Sequence, residues 1–220
     1  RIDIFDNSNL FGDFSVSGMV VYINGKPDKN EYRKYKISFD KNDDYHMMQE
    51  VIYRRYQRAL VDETKLPDLI IVDGGEIQIG ATQEILNELN LNIKVVGLKK
   101  DDKHRTNILV DSNLNLTPLD MTSNLFHYLT RMQDEVHRFT INYHREIRSK
   151  GSIQSVLDNI EGIGTVRRKA LIKKFGSITK MKDANINELT EILPDNIAVN
   201  LKKYLNEFKK DDSNENNWFN

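Results

Sequence analysis

Leu69-Ile70-Ile71-Val72-Asp73-Gly74-Gly75 is the stretch on which the fold turns. An unbroken apolar run, mostly β-branched, that ends on a carboxylate and two glycines reads as a parallel strand covered on both faces, running out at a tight turn. Working downstream, Ile77 to Leu89 has helical spacing and Ile93 to Leu98 is a second apolar run, so strand, helix and strand follow one another. Working upstream, Asp43 to Leu60 is a helix with Asp43 or Asp44 as N-cap and Met47, Met48, Val51, Ile52 and Leu60 as its apolar stripe. Before it come three strand patterns with short turns between them: Ile2 to Asp6, Val16 to Ile23 closing on Asn24-Gly25, and the alternating Tyr32 to Phe39.

Three antiparallel strands followed by alternating helix and strand define an α/β fold, an RNase H-like mixed sheet with flanking helices. Asp101 to Arg105 reads as an exposed charged loop, and Asn107 to Val110 with Leu114 to Leu116 as a hairpin beyond it. Thr122 to Ile147 carries Leu125, Leu129, Met132, Val136, Phe139, Tyr143 and Ile147 at alternating spacings of three and four, the pattern of a long amphipathic helix. The sequence reading places an RNase H-like domain at 1–148, a linker at 149–152 around Gly151, a small all-α domain at 153–210 and a polar tail at 211–220 too hydrophilic to fold.

Composition narrows the function. With 220 residues, 39% hydrophobic and 30% charged, the chain has room for one core and a small second domain. No apolar run approaches the roughly 20 residues of a membrane span. There is no cysteine and no secretory signal, which points to a reducing, cytoplasmic setting. A start at Arg1, directly before a strand, points to a fragment of a longer chain. The net charge of -1 hides segregation: from Arg138 to Lys182 basic residues far outnumber the acids Glu146, Asp158 and Glu161, and beyond Asp183 the balance turns acidic. A local phosphate-binding surface has this look.

Asp6 and Asp73 each close a strand, and the topology makes those strands neighbours. Two carboxylates brought together either repel across a vacant gap or share a hard cation such as Mg²⁺ or Mn²⁺; each, taken singly, also reads as a turn cap. Gly74, Gly75 and Gly80 lack both the G-x-G-x-x-G spacing and a P-loop lysine, so they read as a strand-to-helix turn rather than a nucleotide loop. On the long helix Arg131, Arg138 and Arg145 recur every seven residues and share a face suited to phosphate. Asp134 reads as an ion-pair partner of these arginines. His137, alone, reads as a packing or hydrogen-bonding histidine.

The strongest local motif is Ile160-Glu161-Gly162-Ile163-Gly164, between helical stretches at Ile153 to Asn159 and Thr165 to Phe175. Its h-x-G-h-G pattern is that of a helix-hairpin-helix: Gly162 and Gly164 permit the tight turn and leave N–H groups for a phosphate at the next helix start, with Arg167, Arg168 and Lys169 close behind. Ile186 to Leu193 and Ala198 to Phe208 read as the helices of a second, degenerate hairpin around Leu193-Pro194-Asp195-Asn196-Ile197, which has no glycine. A tandem helix-hairpin-helix domain is the expectation.

Taken in order, Phe5-Asp6-Asn7-Ser8-Asn9, Asn42-Asp43-Asp44-Tyr45, Val72-Asp73-Gly74-Gly75, Asp134-Glu135-Val136-His137-Arg138-Phe139 and Tyr143-His144-Arg145 resemble the carboxy-terminal half of the UvrC family, the incision subunits of bacterial nucleotide-excision repair. The likeness spans Arg1 to about Leu205; Asn9 departs from it, since many relatives carry histidine there. The resemblance implies a divalent-metal-dependent endonuclease making the 5′-side cut at a DNA lesion, with Asp6, Asp73 and His137 at catalytic positions and Asp44 at a further acidic one. It implies metal on Asp6 and Asp73, and His137 as general base or as the group that stabilises the leaving oxygen. It also implies docking to UvrB through a region upstream, where an amino-terminal domain makes the 3′ cut. A catalytically silent module that only docks a repair complex on DNA is the competing reading.

Overall fold

A computed structural model describes residues 1–9, 15–38, 43–100 and 106–207. Phe39, Asn42, the 101–105 loop, the last residue of the expected helix Ala198 to Phe208 and the 211–220 tail lie outside the described residues. The chain divides into two compact units, Arg1–Arg145 and Glu146–Asn220.

The first unit is built on β1 (Ile2–Asn9), β2 (Ser15–Ile23), β3 (Lys26–Pro27), β4 (Arg33–Lys36), β5 (Leu69–Asp73), β6 (Lys94–Lys100), β7 (Thr106–Asp111) and β8 (Leu116–Pro118). They form one sheet in the order β3-β2-β1-β5-β6-β7-β8, with β4 also on β2. The pairs β1·β5 and β5·β6 are parallel and the others antiparallel, so the sheet is mixed, as expected of an RNase H-like fold. The central run Ile70, Ile71 and Val72 is fully buried because both faces of the sheet are covered. On one face α1 (Asp44–Val61) and α2 (Glu76–Glu88) pack over Phe5, Met19, Val21 and Val72; on the other, α3 (Asn124–Asp158) lays Leu129, Met132 and Val136 over Ile4, Val20, Ile71 and Leu98. Three layers result.

Local departures have local causes. The third strand is shorter than its alternating pattern, Arg33–Lys36. It is preceded by the two-residue β3 and a 3-10 turn, Lys29–Glu31, that Asp28 caps by accepting from Asn30. Asp43, not Asp44, is the N-cap of α1, accepting from the N–H groups of Tyr45 and His46. Leu60 is 44% exposed, and Tyr56 and Ala59 continue the buried stripe in its place. In the β7–β8 hairpin Leu114 sits in the turn at a φ of 64°, because the Asp111 carboxylate accepts from the N–H groups of Asn113 and Asn115 (2.9 Å each); the last strand therefore starts at Leu116.

The expected break at 149–152 is absent: α3 is continuous from Asn124 to Asp158. One helical glycine costs only about 1 kcal/mol relative to alanine and there is no proline to stop the helix. Lys150 pairs with Glu146 one turn earlier (2.7 Å), just before Gly151. The helix then delivers Ile153, Val156 and Leu157 to a second core, which α4 (Thr165–Phe175), α5 (Ile178–Asp183), α6 (Ile186–Thr190) and α7 (Asp195–Glu207) complete with Leu171, Phe175, Met181, Leu189 and Leu201.

Candidate metal centre

The site begins with strand register. β1 and β5 are parallel neighbours aligned Phe5 to Val72, so the next residues, Asp6 and Asp73, come side by side; Asp73 ends β5, whereas β1 does not end at Asp6, as its sequence suggests, but stays paired with β2 as far as Asn9. Asp6 is 4% exposed and Asp73 half-buried. From α3, His137 brings Nδ1 to 3.3 Å from Asp6 Oδ2. One ligand atom from each of Asp6, Asp73 and His137 lies within 4.8 Å of the other two, and among the described residues no other group of three such side chains does so.

Three residues that are unremarkable in the sequence hold this arrangement. Gln133, one helical turn before His137 and buried, donates from Nε2 to Asp73 Oδ1 (2.6 Å), fixing how that carboxylate faces the cluster. The signal was its spacing of four from His137, which puts both on one helix face. Gly18 is paired with Asp6 across β1 and β2. A methyl group there would overlap Thr140 Oγ1 and press on the Phe139 ring at 3.0 Å, so the bare glycine lets α3 come close enough for His137 to reach Asp6. Ser17 Oγ donates to the Asp6 carbonyl (2.9 Å), pinning the backbone beside it.

Other expected residues lie apart. Asp44 is exposed in the first turn of α1 and does not belong to the ligand cluster. Arg138 forks onto Glu135 (3.0 and 2.8 Å), where Asp134 was the expected partner: at three residues' separation the fork meets both carboxylate oxygens. Arg145 is exposed, and Arg131 lies over the Tyr128 ring at 5.9 Å. The Gly74-Gly75 turn simply starts α2, with the Gln78 side chain accepting from the Gly75 N–H (3.1 Å).

The model of the UvrC RNase H endonuclease domain matches residues 1–141, which contain the three clustered side chains. The chain belongs to this family. A solved endonuclease V variant from Ciona intestinalis, in complex with a 23mer DNA containing an inosine followed by a ribo-adenosine, is similar at 18% identity and a TM-score of 0.34, over 48% of this chain and 50% of that one. Among the described residues no helix is long and apolar enough to cross a membrane.

The second unit lies beyond the UvrC family match. Its Ile160–Gly164 turn has Ile160 and Ile163 buried in the core, while Gly162 takes a φ of 86°, and a Cβ there would meet Ile197 Cδ1 at 2.5 Å, so a side chain meets both the wrong backbone region and a neighbour. Gly164 caps α4 with open space around it. Arg167 donates to the Gly162 carbonyl (2.7 Å), Arg168 pairs with Asp158, Lys169 is exposed, and Val166 is 82% exposed at the helix start.

Proposed function

We propose that this UvrC-family chain is a divalent-metal-dependent endodeoxyribonuclease that makes the 5′-side incision at a lesion in nucleotide-excision repair. The observation that carries the reading is the convergence of Asp6, Asp73 and His137 from two strands and a facing helix. The donor set, two carboxylates and an imidazole at a half-open sheet edge, suits Mg²⁺ or Mn²⁺, with Asp6 and Asp73 as its oxygen ligands. Bound there, such an ion would lower the pKa of a water and neutralise charge on the scissile phosphate.

The chain's own residues do the rest. With its Nδ1 proton directed at Asp6, His137 would keep Nε2 as an acceptor, the arrangement of a general base, and its side chain is 55% exposed. Gln133 orients Asp73. Arg138 and Arg145 on the helix surface, and the turn from Gly162 through Gly164 to Arg167, Arg168 and Lys169, contact DNA phosphates; the latter turn reads as the first of two helix-hairpin-helix elements. UvrB is engaged through a part of the protein outside these residues, and the absence of cysteine suits work in the cytoplasm.

The test is a lesion-bearing duplex incised by the full-length protein with UvrB. Asp73→Ala is expected to abolish the 5′ cut while sparing the 3′ cut, and chelation of divalent ions to stop the wild-type 5′ cut. A normal 5′ cut from Asp73→Ala sinks the proposal.

A further inference from the structure

The first unit has a pocket of about 520 Å³ lined by Lys29, Tyr32, Arg33, Lys34, Arg138 and Phe139. Four of the six are cations. Acids nearby are already engaged: Glu135 takes the fork of Arg138 and the Tyr32 hydroxyl (3.2 Å), and Glu31 takes Arg1 (3.1 Å) and stands 4.0 Å from Arg33, a partly exposed pair. Lys34 lies over the rings of Phe139 (5.8 Å) and Tyr143 (5.1 Å), and Tyr32 packs edge-on to Phe139 at 5.1 Å, so cations and aromatic surface are interleaved. Lys29, Arg33 and Lys34 sit on the shortened third strand and the turn before it, where the sequence shows only an ordinary alternating strand.

Register ties the pocket to the cluster. Asp6 pairs with Gly18, and Gly18 with Lys34, so Lys34 stands in one row with Asp6 two strands away, about 10 Å at the usual strand spacing. From the helix side, Arg138 directly follows His137. We propose that this pocket holds a single DNA strand beside the point of cleavage, its phosphates on Arg33, Lys34 and Lys29 and an unpaired base against the Tyr32 and Phe139 rings. Cationic grooves with aromatic walls bind single strands in this way, without reading sequence. The nuclease unit then carries its own grip on the strand, separate from the hairpin of the second unit. Only the direction of the strand, toward the cut, rests on the nuclease reading.

The test is Arg33→Gln/Lys34→Gln in the whole chain, both positions being exposed, with binding of a labelled single-stranded oligonucleotide followed by anisotropy across a salt titration. Losing two phosphate contacts at about 0.7 each should flatten the slope of log affinity against log salt by about 1 to 1.5. Duplex of the same length should lose less. In cleavage, KM should rise with kcat retained. An unchanged slope, or an equal loss on duplex, overturns the proposal. Mn²⁺ affinity measured in parallel separates the two ideas: wild type that fails to bind Mn²⁺ removes the nuclease reading, while the salt slope still decides the strand site.

Discussion

Strand β1 carries two buried carboxylates, Asp3 and Asp6, on opposite faces of one sheet. Asp3 faces cations of its own chain: Arg1 Nε at 2.8 Å and Arg55 Nε at 3.6 Å, with the Tyr56 hydroxyl donating at 3.3 Å. Tyr56, fully buried beside this carboxylate, has its hydroxyl pKa pushed well up by burial first and by Asp3 second. Asp6, three residues on and just as inaccessible, faces a second carboxylate and a histidine instead. Burial and charge are common to both, so neither marks a site. The sign of the neighbours differs: Asp3 is neutralised inside the fold, whereas Asp6 faces Asp73 and His137, the set on which the proposed cation site rests.

Three substitutions press on that contrast. Asp3→Ala strands Arg55 as a buried, uncompensated charge and leaves the Arg1 guanidinium with Glu31 alone, so it should cost about 3–5 kcal/mol in denaturant unfolding, with kcat per folded molecule unchanged. Loss of activity without loss of stability there would erase the distinction. His137→Ala should do the reverse: cleavage slower by about 10²-fold, unfolding free energy altered by less than about 0.5 kcal/mol. A large drop in melting temperature with normal turnover would make His137 a packing residue. Smallest of the three, Gly18→Ala should cost about 1–3 kcal/mol as the new methyl pushes α3 off the sheet beside Asp6, and should slow cleavage as well. Unchanged cleavage would show that the close approach of α3 does not set the position of His137.

Much of this was legible in the sequence where one local cause acts alone. Leu69 to Val72 could only be a buried strand, and once the first strand was placed beside it Asp6 and Asp73 had to meet. Gly162 stood out because its place in the motif calls for a left-handed backbone, and it has one. Less visible were features that depend on two elements at once. Gln133 looks like any helical glutamine until the sheet puts Asp73 beneath it, and Gly18 like a weak strand residue until α3 lies across it. The helix through Gly151 was hidden for a similar reason: the glycine signals a break locally, but the helix gains Ile153, Val156 and Leu157 as core residues by continuing.

Mn²⁺ binding tests, without any substrate, the proposal that Asp6 and Asp73 together hold a divalent ion. Titrated by calorimetry or by loss of the free-ion paramagnetic resonance signal, the wild-type chain should bind Mn²⁺ at this site, while Asp6→Asn and Asp73→Asn should each remove that binding and leave the unfolding midpoint unchanged or raised, since the repulsion between the two carboxylates goes with the charge. Equal Mn²⁺ binding by wild type and both variants would mean that these carboxylates do not hold the ion.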